Sequence, residues 1–276
     1  MTDQITQTPE AQIVADLAQR AADPHPLSDG VWGVVLAGDA RHDLIDVEPH
    51  LAHPRRKRGT ISVDRPVSLA AYVNAHSGPG TALYADQRRL RVVAVLNDHV
   101  PEGDVSCPGF GDYRAVLDLL PTPEWTAWRT ASGKWMGQED FADFVEEHVD
   151  DVVTPPGADL LELARTFEAT KGAQFRSAVR LDSGQRQLTY SETIDARAGQ
   201  SGQVVIPERF TLGLAPFDGV DAYRIEARLR YRIGEGALRL AFVLDHADRV
   251  QRCAFDDVVQ TVEADTARPV FFGTPR

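Results

Sequence analysis

The chain has 276 residues, enough for one large domain or two small ones. Hydrophobic residues make up 43% and charged residues 25%, which excludes wholesale disorder. A formal net charge of -12 repels nucleic acid on average, so any contact with it needs a local basic patch.

No apolar run approaches the roughly 18 residues that cross a bilayer, so no membrane partner is expected. Met1 to Pro9 is polar and lacks the basic and apolar regions of a signal peptide. Cys107 and Cys253 lie far apart, and with no export signal they are expected to be reduced. These features predict a cytoplasmic protein.

In chain order, Ile13, Val14, Leu17, Ala18 and Ala21 recur at helical spacing, which predicts a helix over Pro9 to Ala22. Asp23-Pro24-His25-Pro26 ends it. Val31 to Ala37 reads as a buried strand, Asp39 to His42 as a turn and Leu44 to Val47 as a short strand. The basic run Arg55-Arg56-Lys57-Arg58 precedes a strand at Thr60 to Val63, and Pro66 opens a short helix through Val73. Thr81 to Ala85 and Leu90 to Leu96 read as strands, Asp98 to Gly111 as a loop, and Tyr113 to Leu119 as a strand by its alternation. Trp125 and Trp128 share one face of a helix over Pro123 to Thr130.

Gly137 to Val153 reads as one amphipathic helix. Phe141, Phe144, Val145, His148, Val149 and Val152 form its apolar stripe, and carboxylates cover much of the rest. Ala158 to Thr170 reads as a further helix, its leucines, Ala164 and Phe167 turned inward. Beyond Gly172 the period becomes two. Phe175 to Leu181, Leu188 to Ile194 and Val204 to Leu214 read as strands, the last broken by Pro207. Tyr223 to Ile233 alternates strictly, and Leu238 to Leu244 alternates back after Gly234-Glu235-Gly236, which is a hairpin. Asp248 to Ala264 reads as a helix with Val250, Cys253, Ala254, Val258 and Val262 on its apolar side, followed by a short strand at Pro269 to Phe272.

The order predicts an α+β fold. It has a helix and linker over residues 1–30, a mixed part over 31–156, and a helix plus antiparallel part over 157–276, with one continuous domain as the alternative.

No pattern in the chain carries chemistry. His50 and His53 stand beside Glu48, but prolines bracket them and no third ligand is evident, so they read as a solvated loop. His246 between Asp245 and Asp248 lacks a nucleophile, Cys107 lacks a base, and Gly103 to Gly111 matches no phosphate-binding spacing. No cofactor or metal is expected, nor catalysis.

Charge is the remaining signal. Arg224, Arg228, Arg230 and Arg232 project from one strand face, with Glu226 among them. Neighbours repeat about every 6.6 Å, so the ladder repels itself unless something balances it. Glu139, Asp140, Asp143, Glu146, Glu147 and Asp150 form an acidic helix face of opposite sign. Arg55, Arg56, Lys57 and Arg58 form a second basic patch or a solvated loop.

Leu188-Thr189-Tyr190-Ser191-Glu192, the stretch from Ile206-Pro207 to Pro216-Phe217-Asp218-Gly219, and the arginine hairpin with its following helix resemble the YfdQ-like proteins of phages and prophages. The resemblance covers most of the chain from about Val31 and carries no activity or catalytic residue with it. It implies a viral or prophage setting. The first expectation is therefore a non-enzymatic accessory protein that forms a homo-oligomer through its arginine and acidic faces. The alternatives are a recombination helper that binds nucleic acid through the arginines, against which the net charge counts, and an acidic mimic of DNA that occupies a host defence protein.

Overall fold

The computed structural model describes residues 10–23, 25–28, 31–36, 41–46, 48–100, 108–180, 186–197, 206–234 and 237–275. Helical and alternating patterns become six α-helices and fifteen strands among them, an α+β fold. The chain divides into two units, Met1–Arg58 and Gly59–Arg276.

In the first unit, α1 (Glu10–Ala22) precedes a meander of β1 (His25–Ser28), β2 (Val31–Leu36) and β3 (Arg41–Asp46). Asp23 ends the helix as expected, but His25 and Pro26 already pair with Gly33 and Trp32. Arg41 and His42, read as a turn, lie in β3 opposite Leu36 and Val35. In β2, read as buried, the Trp32 side chain is exposed.

The second unit contains β4 (Gly59–Val63), α2 (Pro66–His76), β5 (Ala82–Asp86), β6 (Arg91–Val95), β7 (Tyr113–Asp118), α3 (Pro123–Ala131), β8 (Met136–Gly137) and α4 (Gln138–Glu147). It continues with β9 (Val152–Thr154), α5 (Gly157–Thr166), β10 (Glu168–Arg180), β11 (Arg186–Arg197), β12 (Arg209–Leu214), β13 (Tyr223–Gly234), β14 (Ala237–Leu244), α6 (Ala247–Thr266) and β15 (Val270–Phe272). These strands make two five-stranded sheets. The first runs β15-β5-β6-β7-β4, with both edge strands parallel to their neighbours. The second runs β8-β14-β13-β12-β9 and is antiparallel throughout. β10 and β11 form a separate two-stranded ribbon.

Each sheet has its own core. On the first, α2 and α6 bury Leu69, Val73, Phe255 and Val258 with Leu83, Val92 and Leu117. On the second, α3, α4 and α5 bury Trp125, Trp128, Phe141, Val145, Leu160 and Leu163 against alternate residues of β12, β13 and β14. Phe242 is the hub of that core. Its ring centre lies 4.9 Å from Trp128, 5.7 Å from Phe144 and 6.1 Å from Phe210. Such edge and offset contacts add to the burial of the rings themselves.

Local chemistry explains where the helices begin. The Thr122 hydroxyl accepts the Trp125 N–H at 3.1 Å and Pro123 takes the first helical position of α3. The Asp140 carboxylate accepts the Gly137 N–H at 3.3 Å at the start of α4. At Gly157, a Cβ would lie 2.2 Å from the Val149 carbonyl oxygen, so only glycine lets α5 start against that turn.

The ends of the two central helices differ from expectation. Gly137 to Val153 is not one helix. α4 stops at Glu147, Val149–Asp151 forms a 3-10 turn, and Val152 and Val153 enter β9. Three β-branched residues, Val152, Val153 and Thr154, stand directly ahead of Pro155 and favour extended backbone, and Val152 pairs with Leu212 of β12. Likewise α5 ends at Thr166 rather than Thr170, because Glu168 and Ala169 pair with Arg197 and Ala196 in the ribbon. On α6 the buried row is Ala254, Phe255, Val258, Val259 and Val262, which leaves Cys253 exposed rather than inward. β12 starts only after Pro207. Cys107, most of the glycine-containing loop before Gly109, and the turn at Ser183-Gly184 lie outside the described residues.

Phe242→Ala is expected to lower unfolding free energy by about 3–5 kcal/mol, read from the midpoint of chemical denaturation at unchanged slope.

Candidate interaction surface

The face of the second sheet opposite its helices is built by register. β13 sends Ile225, Ala227 and Leu229 into the core and Arg224, Glu226, Arg228, Arg230 and Arg232 outward. Antiparallel pairing sets Arg209 of β12 opposite Arg228, and Arg239 of β14 opposite Arg232. Residues directly opposite on one face are in contact range, and like charges there are unfavourable. Six arginines thus share the face with two carboxylates, Glu226 and Asp245.

The two opposed arginine pairs are handled differently. Arg209 and Arg228 are bridged. Asp245 accepts from Arg209 Nη1 at 2.9 Å and from Arg228 Nε at 2.8 Å, and Glu226 accepts from Arg209 at 2.6 Å. The bond to Glu226, then the charge of Asp245, holds the Arg209 guanidinium above its ordinary pKa. Arg232 and Arg239 have no such bridge. Among the described residues, no carboxylate lies within ion-pair distance of Arg224, Arg230, Arg232 or Arg239. Arg232 instead lies over the ring of Trp135, its guanidinium carbon 4.2 Å from the ring centre. That contact orients the guanidinium but leaves its charge uncompensated.

The acidic face lies on the other side of the same half of the unit, because α4 packs on the core face of the sheet. Glu139, Asp140, Asp143, Glu146, Glu147 and Asp150 are all exposed. Glu146 is paired with Arg165 at 2.6 Å. Glu139, Asp143 and Glu147 follow one another at intervals of four residues, so they form a row along the helix. Asp151 does not belong to this face. It accepts the Trp128 indole N–H at 2.7 Å, and burial pushes its carboxyl above the usual range while that bond pulls the other way. His148, on the stripe of the expected helix, lies with Nδ1 2.9 Å from the Phe144 carbonyl oxygen.

The basic run belongs to the first unit. Glu48 accepts the Arg55 backbone N–H at 3.3 Å and lies 3.4 Å from the Arg58 guanidinium. His50 stands in a 3-10 turn with Glu48. No group of three metal-binding side chains occurs among the described residues. His246 lines a groove of about 470 Å3 with Arg129, Arg249 and Arg252. Both neighbouring carboxylates of that histidine are held by arginines, Asp245 as above and Asp248 by Arg129 at 2.6 Å. A second groove of about 410 Å3 has the Tyr223 hydroxyl donating to Asp257; burial, then that bond, raises the tyrosine pKa. No described helix is long and apolar enough to cross a membrane.

Four residues of the surface were not among those expected from sequence: Arg209, Arg239, Trp135 and Asp245. The alternation of Leu238 and Leu240 already places Arg239 on the outer side of β14. Arg209 and Trp135 join the face only through pairings between distant segments, which no local pattern reports.

Residues 6–275 match the model of a family described as "Uncharacterized conserved protein (DUF2303)". The chain belongs to that family. No curated protein and no solved structure is detectably similar to it.

Arg239→Glu turns an opposed like-charge pair into an opposite-charge one. It is expected to raise stability by about 0.5 kcal/mol at low salt, with the gain fading as salt rises. Asp245→Asn removes the bridge at the other pair and is expected to lower the denaturation midpoint at low salt. Both effects are read from denaturation curves at two ionic strengths.

Proposed function

We propose that this member of an uncharacterised family is a non-enzymatic protein that assembles with copies of itself, the arginine face of one subunit receiving the acidic helix of the next. The unbridged Arg232 and Arg239 carry the reading, because they place two uncompensated cations directly opposite each other on an exposed sheet. The bridged pair on the same sheet face supports a carboxylate as the missing group, since that is what Arg209 and Arg228 share there.

Spacing favours a helix as the source of the carboxylates. Residues four apart on a helix rise about 6 Å. Alternate residues on a strand rise about 6.6 Å. Glu139, Asp143 and Glu147 therefore match Arg228, Arg230 and Arg232 step for step. A subunit's own α4 cannot make this match, because it covers the opposite face of the same sheet. The contact is head-to-tail, which builds rings or open filaments. Duplex DNA offers one phosphate per about 3.4 Å of each strand, and single-stranded binders use free aromatic platforms. On this face the aromatic ring of Trp135 is already covered by Arg232. By the resemblance to YfdQ-like proteins, the assembly belongs to a phage or prophage and acts in the cytoplasm of its bacterial host.

Light scattering at low and high salt tests this. A mass that falls as salt rises is expected, and Arg230→Glu with Arg232→Glu removes the salt-dependent part. Adding Asp143→Lys and Glu147→Lys to that chain is expected to restore it with charges exchanged. A mass independent of salt overturns the reading. A low-salt gel shift of single- or double-stranded DNA that the two arginine substitutions abolish, with no salt-dependent mass, replaces it with nucleic-acid binding.

A further inference from the structure

The edges of the two sheets are treated differently. In the second sheet, β8 pairs with Arg239 and Leu240 of β14. Just beyond, Gly133 N–H donates to the Phe242 carbonyl at 2.7 Å and the Ser132 hydroxyl accepts the Leu244 N–H at 3.0 Å. That edge is closed. In the first sheet, β15 lies at the edge, and no described strand pairs with its outer side. An open edge with apolar side chains is a template for another strand. Phe271 is 53% exposed and Phe272 is 66% exposed.

Backbone direction follows from one bond. Gly273 N–H donates to Ala85 of β5 at 2.9 Å. Alternate residues of a strand point their N–H and C=O groups to opposite sides. Phe271 therefore faces β5, while Val270 and Phe272 present their donors and acceptors outward. Phe271 shares a sheet face with Tyr84, with ring centres 6.0 Å apart. Val270 lies on the other face, packed against the α2–α6 core.

From this geometry we infer that β15 is a second self-contact, in which it pairs antiparallel with β15 of another copy about a two-fold axis through Phe271. In that pairing Val270 and Phe272 of each strand face Phe272 and Val270 of the other and exchange both hydrogen bonds. All outward groups of the three residues are satisfied. The two Phe271 side chains meet at the axis beside the Tyr84 rings, and Phe272 of each copy covers Val270 of its twin. A second copy is the occupant because the edge is its own complement: the groups spaced two residues apart match themselves under the two-fold, and both side-chain faces of the seam are apolar. The opposite edge does not share this character. Gly59 N–H bonds to Asp112 at 2.8 Å, so β4 turns the backbone of Thr60 and Ser62 outward, with polar, exposed side chains.

This contact is apolar and closed, so it is separable from the charged contact proposed above. Sedimentation at high salt, where the arginine contact is screened, is expected to show a dimer that dissociates on dilution. Phe272→Pro removes one outward N–H without touching a bond to β5, and is expected to give a monomer with an unchanged denaturation midpoint. Phe271→Asp is expected to give the same. Ser62→Pro, the matching change at β4, is expected to leave the dimer intact. A monomer at high salt at every concentration overturns the inference, as does a dimer that survives both Phe271→Asp and Phe272→Pro.

Discussion

The period of two along β13 and β14 is the constraint on which the rest depends. Phe242, Leu240, Ile225 and Ala227 can reach the helix layer only if their neighbours in the strand face away from it. The aromatic core around Phe242 therefore fixes the position of every arginine on the opposite face. The charged surface has no freedom to rearrange by a change of register, since a slip of one residue would bring guanidinium groups into the core. What stabilises the fold and what exposes the cations are two aspects of one backbone geometry.

This couples a locally unfavourable arrangement to a favourable one. Opposed arginines on neighbouring strands repel, and the protein tolerates them twice. It compensates one pair with Asp245 and leaves the other beside Trp135. Net charge hides this, because the chain as a whole is acidic. The segregation of sign matters more than the sum. Carboxylates line the outer side of the helices, guanidinium groups line the outer side of the sheet, and a packed apolar layer separates them.

Those parts of the fold that depend on neighbours in sequence were legible in it. Strict alternation from Tyr223 to Ile233 and the glycine turn after it give the hairpin and its two faces without knowledge of any other segment. The helices at Trp125 and Trp128 and at Phe141 and Val145 are equally local. The C-terminal end of α4 was not legible, because Val149 and Val152 fit a helical stripe as well as a strand. Only the pairing of Val152 with Leu212, sixty positions on, decides between them. The parallel partners of β4 and β15 were hidden for the same reason, since nothing in Gly59 to Val63 points to Tyr113 to Leu117. The arginine face was half legible: β13 declared its own residues, while Arg209 arrives on β12 and Trp135 just ahead of β8, both placed by pairings with distant segments.

The ribbon of β10 and β11 has a further consequence. Its base is closed by the pairing of Glu168, just past the end of α5, with Arg197, so the two ends of the ribbon lie side by side. The paired strands between those two residues form a sheet of their own, apart from the two five-stranded sheets. Paired residues can be added to or removed from its far end while the base keeps its position, at a loop-closure cost that grows only with the logarithm of length. The ribbon is where this chain can change in length while the two sheets keep every register they have.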